Sequence, residues 1–156
     1  MSTTVKPQGC TNFKLRQLGR RVSRLYDAEL AQVGLKTTQY SLLSHVLKLG
    51  PLRPVDLARA MGLTASTLTR NLQPLLAAGW IEQAEGPDAR SRLLHITDAG
   101  RDKRAEAQRR WRAAQERLND LLGLDRVLAL HALLDEAIDL LRANEDGDAD
   151  EGEEHE

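Results

Sequence analysis

Apolar residues recur at helical spacing over most of the chain. Leu15, Leu18, Val22, Leu25 and Ala28 repeat every three or four residues, which predicts a helix over 12–33 closed by Gly34. Lys14, Arg16, Arg20, Arg21 and Arg24 occupy its other faces. Tyr40, Leu42, Leu43, Val46 and Leu47 mark the inward face of a second helix, capped by Thr37 or Thr38 and stopped by Gly50-Pro51. Pro54 suits the first turn of a short third helix that runs to about Met61. Gly62 makes the turn, and Thr64 caps a fourth helix over 65–78 that Gly79 closes. Pro74 costs that helix one backbone hydrogen bond.

The period then changes from three and a half to two. Trp80, Ile81 and Glu82 begin a strand, residues 85–92 form a hairpin, and Leu94 and Ile96 alternate with Leu93 and His95 on the return. Thr97 caps a fifth helix over 98–122, Gly123 breaks it, and Asp125 caps a sixth over 126–142. The fold class that follows is mainly α with a small β-hairpin. The sixth helix carries Val127, Leu128, Leu130, Leu133, Leu134, Ile138, Leu140 and Leu141, well over one apolar face. That surface calls for cover, either the first helix of the same chain or an identical subunit.

Charge changes the picture more than composition does. The formal net charge is −1, but residues 144–156 hold eight of the 23 acidic residues and no Lys or Arg. Without them 15 acidic residues face 22 basic ones, a net charge of +7 that suits a polyanionic partner. The 144–156 segment reads as a disordered acidic tail, either a solubilising end or a weak internal competitor for the basic surface. Residues 1–11 read as a flexible polar end without the apolar core of a signal peptide. No apolar run reaches the length of a membrane span. One cysteine, Cys10, leaves no intrachain disulfide, and the expected compartment is the cytoplasm.

Residues 54–75 have the spacing of a DNA-binding helix-turn-helix. Ala58 supplies the small side chain at the helix crossing. Leu57, Met61, Leu63 and Leu68 close a small core. The other face of the fourth helix offers Thr64, Ser66, Thr67, Thr69, Arg70, Asn71 and Gln73, and no acidic residue occurs over 64–81. Hydroxyls at a helix N-terminus bond phosphate or base edges, and arginine pairs with guanine or clamps phosphate. Asp88 and Arg90 stand two apart on the hairpin tip, close enough to pair, and Arg92 adds a second cation. A narrow minor groove attracts such arginines.

Three stretches carry a family resemblance: Leu-Thr-Ala-Ser-Thr-Leu-Thr-Arg-Asn-Leu-Gln-Pro-Leu at 63–75, Ala-Gly-Trp-Ile at 78–81, and Asp-Ala-Arg-Ser-Arg-Leu-Leu-His-Ile-Thr-Asp-Ala-Gly at 88–100. Together they resemble the MarR family of winged helix-turn-helix transcription regulators over residues 12–143. The resemblance implies a winged helix-turn-helix over about 37–97, with dimerisation helices over 12–33 and 98–143. It also implies a homodimer on double-stranded DNA, with recognition helices in major grooves and wings in minor grooves. In that arrangement Arg90 enters the groove and Asp88 orients it. Repression of a pseudo-palindromic operator and release by a small, often aromatic or phenolic effector are the expected behaviour.

Tyr26, Tyr40, His45 and Trp111 are candidate borders of an effector cleft, set against plain packing in the core. Cys10, ahead of a helix with Lys14 and Arg16 nearby, is a redox candidate, set against an inert terminal thiol. His131 and Asp135 lie one turn apart, but no zinc spacing and no cofactor motif are present. Neither a Gly-x-Ser-x-Gly elbow nor a phosphate loop occurs, so an enzyme is not expected. The remaining alternative is a winged helix that serves protein interaction without DNA binding.

Overall fold

Most of the element boundaries follow from chemistry within a few residues of them. The structure, a computed structural model, describes residues 6–88 and 91–150. Helix α1 (Thr11–Leu30) passes through a 3-10 turn (Ala31–Val33) and stops at Gly34, whose φ of 76° suits glycine. Helix α3 (Pro54–Met61) has proline in its first turn and ends at Gly62, φ 63°. Helix α4 (Ala65–Ala77) follows, and Thr64 Oγ1 accepts its cap bond from Thr67 N at 3.2 Å.

Helix α2 (Thr37–Leu49) departs from expectation at its start. Lys36, not Thr37 or Thr38, is the N-cap residue. The capping oxygen comes from α1: Asp27 Oδ1 accepts from Thr37 N at 2.8 Å and from Thr37 Oγ1 at 2.7 Å. Lys36 N donates to Gln39 Oε1 at 2.8 Å. A carboxylate ten residues upstream has taken the role of the local hydroxyl, which spacing along one helix cannot reveal.

Strands β1 (Ile81–Glu85) and β2 (Arg92–Ile96) pair antiparallel, from Ile81 opposite Ile96 to Glu85 opposite Arg92. Leu52 adds a single bridge to β2, donating to Leu94 O at 3.1 Å and accepting from Leu94 N at 2.8 Å. Helix α5 (Asp98–Leu122) leaves the hairpin through a joint. Thr97 Oγ1 donates to Gly79 O at 2.6 Å and accepts from Gly100 N at 3.0 Å, while Thr97 N donates to Trp80 O at 3.1 Å. A Cβ at Gly100 would overlap the Trp80 carbonyl, so the Thr-x-x-Gly spacing is a packing requirement.

The core gathers residues from every element from the end of α1 to α5. Leu30, Leu42, Leu43, Leu57, Leu75, Ile81 and Leu94 are fully buried, with Leu68 and Ala58 at the crossing of α3 and α4. Each buried leucine stabilises the fold by roughly 1.5–3 kcal/mol. On β2, Leu94 and Ile96 are buried and Leu93 and His95 are only half-buried, which is the expected alternation, while Arg92 at the strand's start is exposed.

The chain divides into two compact units, Met1–Gln115 and Glu116–Glu156. The second holds the end of α5 and helix α6 (Leu124–Asp150). The bonding of α6 starts from Gly123, whose carbonyl accepts from Val127 N at 3.1 Å, so Asp125 lies inside the first turn instead of capping it. The helix also runs past the expected end at Arg142, as far as Asp150. No proline interrupts that stretch, and extending a formed helix needs no new nucleus. Residues 151–156 lie outside the described residues. No helix among the described residues is long and apolar enough to cross a membrane.

Candidate nucleic-acid interface

Helix α4 sorts its residues cleanly. Leu68, Leu72 and Leu75 are buried, and Ser66, Thr69, Arg70 and Gln73 are exposed, with Thr67 and Asn71 half-buried between them. At its N-terminus the Thr64, Ser66 and Thr67 hydroxyls cluster: Thr64 Oγ1 lies 2.9 Å from Thr67 Oγ1 and 3.2 Å from Ser66 Oγ. Thr69 Oγ1 donates to Ala65 O at 2.9 Å, one turn back on the same helix. Free helix N–H groups, three hydroxyls and one arginine make a face that accepts negative charge.

The wing is built by a tight turn. Gly86 N donates to Ser91 O at 2.7 Å, and a Cβ at Gly86 would overlap Ser91. Asp88 Oδ1 accepts from Ser91 N at 3.0 Å, and Asp88 O accepts from Ser91 Oγ at 3.3 Å. Asp88 therefore shapes the turn itself, a role that spacing to Arg90 did not disclose. Ala89 and Arg90 lie outside the described residues, so the expected Asp88–Arg90 pair does too. Arg92 is exposed at the start of β2.

Arg53 stands beside the wing, a placement that periodicity missed. It lines a hollow of about 340 Å³ with Pro54, Val55, Asp88, Ser91 and Arg92. Its guanidinium forks onto Asp56, Nε to Oδ2 at 2.9 Å and a terminal nitrogen to Oδ1 at 3.1 Å. That hydrogen-bonded pairing holds the Asp56 carboxyl below its usual range. The pattern Arg-Pro-x-Asp at a helix start was the available signal.

The four effector candidates are not all brought together. Trp111 stands between Tyr26 (ring centroids 6.4 Å apart, 52° between planes) and Tyr40 (6.2 Å, 28°). The Tyr26 hydroxyl donates to Gln115 Oε1, and burial pushes the phenol pKa up, so it stays neutral. Arg104 lies 5.8 Å from the Tyr40 ring and donates to Ser44 Oγ at 3.2 Å and Gln108 Oε1 at 3.2 Å. An adjoining hollow of about 380 Å³ is lined by Thr37, Tyr40, Ser41, Ser44, Arg104, Gln108 and Trp111. His45 is not part of that lining; its Nδ1 lies 2.7 Å from the Ser41 carbonyl, one turn back on its own helix. The sequence pattern placed His45 on the same helix as Tyr40 but could not see that five residues of an α-helix turn it away.

Cys10 is exposed and holds the N-cap position of α1. Among the described residues no three His, Cys, Asp or Glu side chains are placed to hold a metal ion.

Comparison with known proteins converges on one group. A family model described as MarR family matches residues 33–91. The multiple antibiotic resistance protein MarR of Salmonella typhimurium is 31% identical over 84 residues, which span 53% of this chain and 58% of that relative. The transcriptional regulator MosR of M. tuberculosis, solved in complex with DNA, is 30% identical, with 86% of this chain and 99% of that one aligned at a TM-score of 0.71. The transcriptional repressor CouR, bound to a 23-mer DNA duplex, is 26% identical over 83% of this chain and 92% of its own, with a TM-score of 0.76.

Proposed function

The chain belongs to the MarR family of transcription regulators, and from that premise we propose that it is a homodimeric repressor released from its operator by a small effector. The regulator itself binds DNA and is not an enzyme. The observation that carries the site is the exposed face of α4, polar and free of acidic side chains, with a wing beside α3. Ser66, Thr67, Thr69, Arg70, Asn71 and Gln73, headed by Thr64, read the major groove, and Arg90 and Arg92 on the wing serve the minor groove. The similar MosR and CouR were solved on DNA, which supports DNA binding by this chain.

Dimerisation is supported by the apolar surface of the second unit. Leu128, Leu133, Ile138, Leu140 and Leu141 are each exposed by 46–66%. Covering five such side chains favours association by on the order of 10 kcal/mol before the cost of association is subtracted. A twofold dimer needs a roughly palindromic operator with half-sites about 10–10.5 bp apart. The hollow beside Tyr40, Trp111 and Arg104 has the chemistry for an aromatic or phenolic effector, and such a ligand acts by preferring the state that does not fit DNA. The work is placed in the cytoplasm, with the chromosome.

The test is selection of duplexes from a random library by the purified chain, with sedimentation of the complex. A twofold-symmetric consensus bound by two copies is expected. Recovery of no preferred duplex, or of an asymmetric site bound by one copy, would overturn the reading.

A further inference from the structure

Arg53 is held from both sides along the chain. Leu52, just before it, exchanges two hydrogen bonds with Leu94 of the wing strand, and Pro54, just after it, opens α3. Its guanidinium is forked onto Asp56 of α3 and shares a hollow with Asp88, Ser91 and Arg92. Asp56 foremost, and Asp88 as well, favour its charged form. Asp88 in turn accepts the Ser91 N–H that closes the wing turn.

We propose that Arg53 is a positioning residue for the wing, tying the head of α3 through Asp56 to the turn carboxylate of Asp88. The tie sets where the wing turn and Arg92 stand relative to α4. An exposed ion pair adds little to global stability, because water screens it and two side chains must be ordered. Its effect lies in orientation: a planar fork held by one carboxylate presents a fixed charge to another. A wing so restrained loses less freedom when it enters a groove.

The affinity arm of the test rests on the DNA-binding reading above; the exchange arm does not. Arg53→Ala and Asp88→Asn are made singly and together in the full chain. Asparagine keeps the oxygen that accepts from Ser91 N and removes only the charge. Against a duplex selected by the unaltered chain, each single change is expected to weaken binding roughly fivefold, and the double change no further, since both cut the same link. Melting temperatures stay unchanged. Losses that multiply would mean that Arg53 meets DNA on its own, and the proposal fails. In the protein without DNA, amide exchange at Ser91 is expected to quicken in Arg53→Ala, and an unaltered rate also overturns the proposal. Failure of the unaltered chain to select any duplex would instead count against the DNA-binding reading and leave the exchange result to decide this one.

Discussion

Helices α4 and α6 both carry regularly spaced leucines, yet they use them in opposite ways. In α4 Leu68, Leu72 and Leu75 are buried, and the exposed polar side chains are Ser66, Thr69, Arg70 and Gln73. In α6 only Val127 is buried among the described side chains, and Leu128, Leu133, Leu140 and Leu141 stay exposed. A helix whose apolar residues are already covered has its outer face free for polar recognition. A helix whose apolar residues remain uncovered is incomplete until another apolar surface meets it. The contrast is what the proposed partners rest on: nucleic acid for α4, a second copy of the chain for α6.

The sharpest way to break this contrast is to make α6 polar. Leu133→Glu with Leu140→Glu is expected to leave monomers in sedimentation and to lower operator affinity by about a hundredfold or more, since both half-sites must be held at once. A dimer that survived both changes would place the interface elsewhere. Next in size is Arg90→Ala, which is expected to weaken binding severely while circular dichroism and melting stay as they were; retained operator affinity would remove the wing from the interface. Arg70→Ala on α4 is expected to cost about 1–3 kcal/mol of binding and to relax preference at one base position, so a uniform loss across sequences would reassign Arg70 to phosphate. Arg92→Gln is expected to lower the salt slope of binding by about one unit, measured by titration at several salt concentrations, and an unchanged slope would exclude a phosphate contact there.

The smallest effect concerns neither face. Tyr26→Phe removes the hydroxyl that donates to Gln115 and is expected to cost about 0.5–1.5 kcal/mol in denaturant unfolding. Because burial raises the Tyr26 pKa above its usual value near 10, its contribution is complete below that pH and lost as pH rises through the folded-state value. Tyr26→Phe is therefore expected to flatten the alkaline loss of stability. An unaltered pH profile would assign that loss to other groups.

The elements were largely legible because their punctuation is local. Gly34 and Gly62 have the left-handed φ that ends a helix, Pro54 opens one, and Thr97 caps another through a bond three residues away. The polar face of α4 was legible for the same reason, since 3.6-residue spacing alone separates Leu68 and Leu72 from Thr69 and Arg70. What stayed hidden involved distant partners. Asp27 caps α2, Leu52 joins the wing strand, and Arg53 comes beside Asp88, pairings between residues 10, 42 and 35 positions apart. Tyr26, Tyr40 and Trp111 come together, while His45 turns to the Ser41 carbonyl, because helix rotation decides which neighbours share a face.

Periodicity, caps and charge segregation in the chain thus determined the helices, the hairpin, the polar face of α4 and a family resemblance, because each depends on residues within about one helical turn or one strand repeat. Tertiary structure alone decided the Asp27 cap, the seat of Arg53 against the wing and the exclusion of His45 from the aromatic hollow. Those depend on which distant segments pack together, and a linear pattern records which residues are apolar without recording what they will touch.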